Sequence, residues 1–345
     1  MPELPEVEAV RRGLERHLLG REVGEVEVLD PRALRRQDGG VSVFRDGLAG
    51  RRIEAAVRRG KFLWLVLDDG NALSAHLGMS GQLLVRGTTS SPARDDASRP
   101  QRTSPVSDFL GDPAAGTVDL TATRAPSLVR DLDLRPRHLR VRLHLSSRRG
   151  DPASARGAAL DLVDQRMLGG LRLSALVPTA DGGPGGEGSR LALLPQDAAH
   201  VARDLLDPAA DLGQVLRRMR ASRRAVKAQL LDQELVSGIG NIYADEGLWA
   251  ARVHGGTSGT RLGPRVGTRL LQAVAEVMRR ALAAGGTSFD ALYVDAEGAA
   301  GFFARELQAY GRAGQACRRC GTQMRREVLT GRSHTFCPRC QRPQR

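Results

Sequence analysis

Aromatic residues are scarce in this chain: Phe, Trp and Tyr make up only 3% of its 345 residues. This scarcity argues against the stacking of bases on aromatic platforms as a main mode of ligand binding. Long apolar runs are also missing, both the ~18 residues that a membrane-spanning helix needs and the hydrophobic segment of a secretory signal. We therefore expect a cytoplasmic protein with no membrane partner.

Cysteine is absent until the C-terminal region, where four residues form the pairs Cys317-x-x-Cys320 and Cys337-x-x-Cys340. In a cytoplasmic chain, two close pairs indicate metal binding rather than disulfide bonds. Sixteen residues separate the pairs, which is within the spacing of a four-cysteine zinc site. Four thiolate ligands leave no open coordination position. The pattern therefore predicts one structural Zn²⁺, and we expect no catalytic metal and no organic cofactor.

Acidic residues are outnumbered by basic ones, 39 to 52, which gives a formal net charge of +13. A strongly basic protein indicates a polyanionic partner, and nucleic acid is the most common one. The chain is long enough for two domains.

Two regions of the chain differ in their hydrophobic periodicity. The first region begins with a helix expected at 5–19. Apolar and polar residues then alternate as in short strands, which are expected at 23–29, 62–67, 72–77, 82–85, 139–145 and 158–163. Beyond residue 195 the pattern is helical, with helices expected at 197–206, 211–221, 224–236, 241–251 and 264–284. The glycine-rich run 182–186 is the candidate linker between them. The polar stretch 87–127 has no periodicity, so we expect a disordered insertion there.

The N-terminus, Met1-Pro2-Glu3-Leu4-Pro5-Glu6, combines a potential nucleophile with carboxylates. Removal of Met1 leaves Pro2 with a free secondary amine. An α-amine has a pKa near ~8, against ~10.4 for lysine, so it is neutral more often at neutral pH. Such an amine can attack a sugar C1′ to form a Schiff base, and Glu3 is close enough to transfer protons. The simpler interpretation is that Pro2 and Pro5 only start a helix whose dipole the glutamates complement.

The stretch 233–246, QELVSGIGNIYADE, predicts a helix, a glycine turn and a second helix. Gly240 allows close backbone approach, and Asn241 is expected to cap a helix whose free N–H groups form a phosphate site. On its own, this pattern more often indicates a plain helix hairpin.

Together, PELPEVE at the N-terminus, RGKF at 59–62, the 233–246 stretch and the cysteine pairs resemble the bacterial formamidopyrimidine-DNA glycosylase family. The resemblance implies an α+β multidomain fold. It divides the chain into a β-sandwich catalytic domain with an N-terminal helix (1–180), a helix–two-turns–helix DNA-binding domain (195–300) and a zinc finger (310–345). It implies a monomeric, nucleoid-associated enzyme of base-excision repair, a glycosylase and AP lyase that removes oxidised purines from damaged duplex DNA through Pro2, with β- and δ-elimination.

The resemblance also implies roles for single residues. It assigns catalysis to Pro2, Glu3, Lys61 and Arg332, with support from Glu6. It assigns DNA contacts to Met79, His138, Arg166, Leu168, Arg223, Lys227 and Asn241. Met79 and Leu168 would fill the gap left by a flipped base and Arg166 would pair with the orphaned cytosine, whereas Arg223 and Lys227 would clamp phosphates. A lid over the lesion is assigned to Gly286, Thr287 and Ser288.

The chain departs from the family pattern at several positions. Leu168 stands where the family has a wedging phenylalanine, and Gly255 stands where a proline often follows the histidine at 254. The 87–127 stretch has no recognised counterpart.

Two other functions stay open on the sequence. An endonuclease VIII-like enzyme for oxidised pyrimidines is disfavoured by the PELPEV start and by the Gly-Gly-Thr-Ser-Phe-Asp lid at 285–290. A non-catalytic, zinc-containing DNA-binding protein is favoured by Leu168 and the insertions, but disfavoured by the presence of Pro2, Glu3 and Lys61.

Overall fold

The computed structural model describes residues 2–87, 117–118, 132, 135–146, 158–286 and 303–342. It has the predicted α+β architecture, with a sheet-rich N-terminal part, a helical part and a C-terminal cysteine hairpin. Most of the 87–127 stretch lies outside the described residues. None of the described helices is long and apolar enough to cross a membrane.

The described residues of the N-terminal part form two helices and eleven strands. The helices are α1 (Leu4–Leu18) and α2 (Gly40–Leu48). The strands are β1 (Val23–Val28), β2 (Ile53–Arg59), β3 (Phe62–Leu67), β4 (Asn71–His76), β5 (Gly81–Arg86), β6 (Thr117–Val118), β7 (Arg135–Pro136), β8 (Leu139–Leu145), β9 (Ala158–Asp164), β10 (Gly170–Pro178) and β11 (Leu193–Pro195).

Two antiparallel sheets enclose the core of this part. One has the strand order β1-β8-β9-β5 and the other β11-β10-β4-β3-β2, and the short β6 and β7 pair in parallel. Helix α1 buries Val7, Leu14 and Leu18 against both sheets, whereas Leu4, at its first turn, packs into the core of the helical part. The helix therefore holds the N-terminus at the junction of the two parts.

The helical part contains α3 (Leu212–Ala221), α4 (Val226–Leu230), α5 (Asn241–Ala250) and α6 (Pro264–Ala283). Short 3₁₀ turns occur at Pro31–Leu34, Gln196–Ala198, Gly259–Arg261 and Phe303–Glu306. The cysteine hairpin is formed by β12 (Arg325–Leu329) and β13 (Arg332–Phe336).

Two predicted helices are wrong in extent: 197–206 holds only a 3₁₀ turn, and 224–236 is reduced to α4. In both places an aspartate accepts a backbone N–H two residues on, Asp204 from Leu206 and Asp232 from Glu234, which competes with helix formation.

The glycine-rich run 182–186 is not a linker. It lies in the turn between β10 and β11, two paired strands of one sheet. The Gly185 N–H donates to the carbonyl of Leu191, and the Gly185 carbonyl accepts from Arg59 Nε at 2.7 Å. A Cβ at position 185 would lie 1.8 Å from the Leu193 carbonyl oxygen. Glycine serves close packing here rather than flexibility, and the sheet-rich part extends to Pro195.

A buried ionic cluster joins α1, β2 and the segment that enters the helical part. Arg58 Nε donates to Glu8 Oε2 at 2.9 Å and its Nη1 donates to Asp204 Oδ2 at 2.8 Å. All three side chains are at most 4% exposed. Burial raises the pKa of Glu8, but hydrogen bonds and charges from Arg11 and Arg58 outweigh it and hold that pKa below its usual value.

We expect Glu8→Gln to lower the free energy of unfolding by about 3–5 kcal/mol, because it removes the buried charge that pairs with the Nε groups of both Arg11 and Arg58. Chemical denaturation followed by circular dichroism measures this. The matched control is Glu15→Gln: Glu15 also pairs with Arg11, at 3.1 Å, but its side chain is 42% exposed. The control should lose less than about 1 kcal/mol. Equal losses in the two variants would contradict the prediction.

Candidate active site

One cleft receives residues from all three parts of the chain. Its lining includes most of the predicted catalytic and DNA-contacting side chains, namely Pro2, Glu3, Lys61, Met79, Asn241 and Arg332. Their positions in the sequence are far apart, so only the tertiary fold brings them together.

Glu3 lies at the N-terminus of α5, where its carboxylate caps the helix. The side chain accepts N–H groups of Gly240 at 2.6 Å and Ile242 at 2.9 Å, and a longer one of Tyr243 at 3.3 Å. A Cβ at position 240 would lie 2.3 Å from the Glu3 carboxyl carbon, so only glycine allows this approach. The predicted helix cap is thus supplied by Glu3, because Gly240 occupies the N-cap position and Asn241 is already the first helical residue.

Burial raises the pKa of Glu3 to about 7, and the opposing effects of Lys61 and of the backbone N–H groups are weaker. The side chain is only 3% exposed. Near neutral pH both protonation states are therefore populated, which suits a group that first gives and later accepts a proton.

Glu6 fixes the backbone beside the N-terminus. Its Oε2 accepts the Glu3 N–H at 2.9 Å and its Oε1 accepts the Tyr243 hydroxyl at 2.8 Å. Gly286 lies close by, since a Cβ there would be 3.2 Å from Glu6 Oε1. The other two predicted lid residues, Thr287 and Ser288, lie outside the described residues.

Lys61 lies in the turn between β2 and β3, and its Nζ donates to the Ile239 carbonyl at 2.7 Å. Burial lowers the pKa of Lys61, while Glu3 and Glu6 act in the opposite direction. The lysine thus lies beside Glu3, in the same cleft and at the base of the glycine turn that precedes α5.

Asn241 and Arg332 also line the cleft. Asn241 Nδ2 donates to Ser333 Oγ at 3.2 Å, and its Oδ1 has no hydrogen-bond partner among the described residues. Arg332 is exposed at the start of β13. The Arg332 guanidinium and the second N–H of Asn241 Nδ2 are therefore the donors that these two residues offer to an anionic ligand.

Lys227 does not face the cleft, contrary to the prediction. Its Nζ donates to Asp245 Oδ1 at 2.6 Å and to the Ser333 carbonyl, and the side chain is 1% exposed. A phosphate cannot reach a cation that is buried and already paired, so Lys227 joins the helical part to the cysteine hairpin instead. Arg223 is exposed in the turn between α3 and α4, where its predicted phosphate contact stays a prediction.

Two loops at the cleft entrance carry the predicted wedge residues. Met79 is 44% exposed between β4 and β5, and Leu168 is 41% exposed between β9 and β10. The loops touch, because a Cβ at Gly78 would lie 2.6 Å from the Leu168 carbonyl carbon. His138, in the turn before β8 with φ 67°, accepts the Asp164 N–H through its carbonyl.

Sequence reasoning missed two residues that shape the Leu168 loop. Asp164 accepts the N–H groups of Arg166 at 3.1 Å and Gly169 at 2.7 Å. Arg35 donates to the carbonyls of residues 167, 168 and 169 from the other side. An aspartate at a strand end is a recognisable turn signal, but nothing local to Arg35 indicates contacts over 130 positions away.

The four cysteines gather at one point, with all Sγ atoms within 4.8 Å of one another. The Cys320 Sγ lies 3.5 Å from that of Cys337 and 3.4 Å from that of Cys340. Tetrahedral Zn²⁺ with ~2.3 Å bonds places sulfurs about 3.8 Å apart, so the cluster fits a structural zinc. Trp249 Nε1 donates to Cys317 Sγ at 3.5 Å, and the Arg319 guanidinium lies 3.9 Å from the Trp249 ring centroid.

One further group of potential ligands among the described residues, His254, Glu327 and His334, does not fit a metal. His254 Nδ1 accepts the Gly256 N–H at 3.1 Å, so its proton is on Nε2, which faces Glu327 at 3.2 Å. His334 Nε2 accepts the Gly255 N–H at 3.1 Å. Neither ring offers a free lone pair to a cation.

Removal of zinc by a chelator should change the emission of Trp249 and weaken DNA binding on the order of tenfold or more, because the hairpin with Arg332 depends on the metal. Fluorescence and a duplex-binding titration measure the two effects. In the control Trp249→Phe, the emission change should vanish while the loss of binding stays. Unchanged affinity in the zinc-free protein would contradict the prediction.

Comparison with known proteins gives matches along the whole chain. Residues 1–171 match the formamidopyrimidine-DNA glycosylase N-terminal domain, residues 201–292 match the formamidopyrimidine-DNA glycosylase H2TH domain, and residues 314–343 match the zinc finger found in FPG and IleRS. The formamidopyrimidine-DNA glycosylase of Nocardioides sp. is 48% identical over 341 residues, which cover 99% of this chain and 94% of the relative. That of Thermobifida fusca is 46% identical, covering 99% and 97%.

Solved structures match over the same span. The Lactococcus lactis Fpg in complex with abasic-site DNA has a TM-score of 0.69 at 25% identity, covering 99% of both chains. A MutM complex with DNA containing carbocyclic 8-oxo-G also has a TM-score of 0.69, at 26% identity, covering 99% of this chain and 100% of that one.

Proposed function

Because the chain belongs to the formamidopyrimidine-DNA glycosylase family, we propose that Pro2 is the nucleophile with which it removes oxidised purines from duplex DNA. The enzyme is a glycosylase for such lesions. The observation that carries the assignment to Pro2 is the cleft itself, where Pro2, Glu3 and Lys61 meet beside the N-terminus of α5. A free N-terminal amine, a carboxyl group with a pKa near neutrality and a lysine form a set suited to Schiff-base chemistry.

The proposed reaction begins with attack of the Pro2 nitrogen on C1′, which breaks the C1′–N9 bond. The base leaves with the bonding electron pair and takes up a proton, and the Pro2 nitrogen loses its own proton and regains a lone pair. Glu3 donates its proton to O4′, the sugar ring opens, and the nitrogen lone pair forms the C1′ iminium. Loss of a C2′ proton then expels the 3′-phosphate in β-elimination, and a second proton loss expels the 5′-phosphate in δ-elimination. Hydrolysis of the iminium returns the amine. Glu6 supports these steps by holding the backbone of Glu3.

Lys61, Asn241 and Arg332 would bind the phosphates that flank the lesion, since all three line the cleft. Arg223 is exposed, and the turn at His138 is held by the Asp164 N–H that donates to the His138 carbonyl. These two residues would extend the phosphate contacts along the duplex. Phosphate contacts of this kind position the DNA without reading its sequence.

We expect Met79, Leu168 and Arg166 to occupy the space of the flipped nucleotide. Leu168→Ala should then lower kcat/KM on 8-oxoguanine duplexes by roughly tenfold, whereas Leu168→Phe should keep or raise it. Single-turnover excision assays measure this. The control substrate is a single-stranded lesion, which has no gap to fill, and an equal loss on that substrate would contradict the wedge role.

The division we infer is a sandwich domain through Pro195, a helix–two-turns–helix domain and a zinc finger. The enzyme would act as a monomer in the cytoplasm, associated with the nucleoid through DNA, without membrane contact, catalytic metal or organic cofactor. Gly286 would begin the lid over the lesion.

A panel of duplexes tests the lesion class. We expect excision of 8-oxoguanine and formamidopyrimidine opposite cytosine to exceed that of thymine glycol. Faster removal of thymine glycol would replace this proposal with the oxidised-pyrimidine alternative.

A further inference from the structure

The cysteine hairpin is fastened to the helical part around Asp245, a side chain that is fully buried. Asp245 Oδ1 accepts His334 Nδ1 at 2.7 Å and Lys227 Nζ at 2.6 Å, and its Oδ2 accepts the Thr335 N–H at 3.0 Å. Asp245 lies on α5, and two of these three donors belong to β13. One carboxylate therefore sets the distance between the helix and the strand.

The hydrogen bonds at His334 fix its tautomer. The Gly255 N–H can only donate, so His334 Nε2 carries no proton and Nδ1 must carry it toward Asp245. Gly255 suits this ring in two ways. It supplies an N–H that a proline would lack, and it has no Cβ, which would lie 2.9 Å from His334 Nε2. The glycine after His254 and the histidine at 334 are thus matched to each other.

The fastened strand is the one that begins with Arg332. Immediately after it, Ser333 accepts Lys227 Nζ through its carbonyl and Asn241 Nδ2 through its hydroxyl. Residues 333, 334 and 335 are all bonded to the helical part, so Arg332 has little freedom at its backbone. Its side chain then enters the cleft from a fixed point next to Ser333, the residue that Asn241 contacts.

We propose that Gly255, His334 and Asp245 form a hydrogen-bonded relay that positions Arg332 for its phosphate. The residues of the relay do not touch DNA, and they act through the placement of β13. The inference rests on the proposed function only in that Arg332 must contact phosphate.

A double-mutant cycle tests the relay, with His334→Ala, Arg332→Gln and the double variant. Binding to a duplex with a tetrahydrofuran abasic analogue is titrated at several salt concentrations, with zinc content and thermal unfolding measured in parallel. Each single variant should bind about tenfold more weakly, and the double variant hardly more weakly than Arg332→Gln alone. The slope of log K against log salt should fall by about 0.9 in all three, as for the loss of one phosphate contact. Gly255→Pro should behave like His334→Ala.

The outcomes separate the relay from the proposed function. The relay is overturned if the losses of DNA affinity in the two single variants are additive. It is also overturned if His334→Ala leaves the salt slope unchanged while Arg332→Gln lowers it. Either result leaves the role of Arg332 intact. No effect of Arg332→Gln itself overturns the phosphate role on which the relay rests. Arg325→Gln, an exposed change on β12 outside the relay, is the control and should be additive with His334→Ala. Asp245→Asn is the second variant, for the case in which His334→Ala does not fold. When its zinc content is that of the wild-type protein, it should show the same loss of affinity and the same salt slope as His334→Ala.

Discussion

An enzyme extended by one residue before Pro2 should lose covalent trapping on DNA, and its strand cleavage should fall by several orders of magnitude. The extension converts the secondary amine into an amide, whose nitrogen lone pair is delocalised into the carbonyl and cannot attack C1′. Because the N-terminus contributes only part of the cleft, affinity for an abasic-analogue duplex should change by no more than a few-fold. A borohydride trapping assay and a binding titration on the same preparation measure the two quantities.

Pro2→Gly is the matched control, because it retains a free terminal amine in the same place. This variant should still form some adduct, whereas the extended protein should form none. Full lyase activity in the extended protein would contradict the assignment of Pro2 as the nucleophile.

The second large effect is expected at Glu3. Replacement by glutamine removes the proton donor and acceptor, and loss of general acid–base catalysis of this type lowers rates by roughly 10²–10⁴-fold. The single carbonyl oxygen of glutamine can still accept one of the Gly240 and Ile242 N–H groups, so the fold should persist although the other bond is lost. The pH–rate profile of the wild-type enzyme should change slope near pH 7, because burial raises the pKa of Glu3 to about 7. The profile of the Glu3→Gln variant should lack this change.

The same raised pKa has a consequence for stability. A carboxyl group with a higher pKa in the folded state stabilises the fold below its ordinary pKa of 4.5, and this contribution is lost as the pH rises through about 7. The full difference is about 3 kcal/mol. The melting temperature of Glu3→Gln relative to wild type should therefore increase between pH 4.5 and 8. A constant difference over that range would contradict the raised pKa.

Much of this site could be predicted from the sequence where the determinants are local. The period of Val7, Val10, Leu14 and Leu18 defines α1, and the spacing of the cysteine pairs defines the metal site. The carboxylate that caps α5 could not be found in this way, because Glu3 lies more than 230 positions before Gly240. Similarly, the family resemblance implied a phosphate contact for Lys227, and only the packing of β13 shows that this lysine is buried and paired. The glycine run at 182–186 has the composition of a linker. Its glycine at position 185 is instead required because the Leu193 carbonyl leaves no room for a Cβ.

The role of Pro2 as the nucleophile is tested most directly by borohydride trapping on a duplex with 8-oxoguanine opposite cytosine, followed by peptide mapping of the cross-link. We expect a covalent DNA adduct on the N-terminal peptide, at the Pro2 nitrogen. An adduct on Lys61, or strand cleavage with no adduct at all, would contradict it.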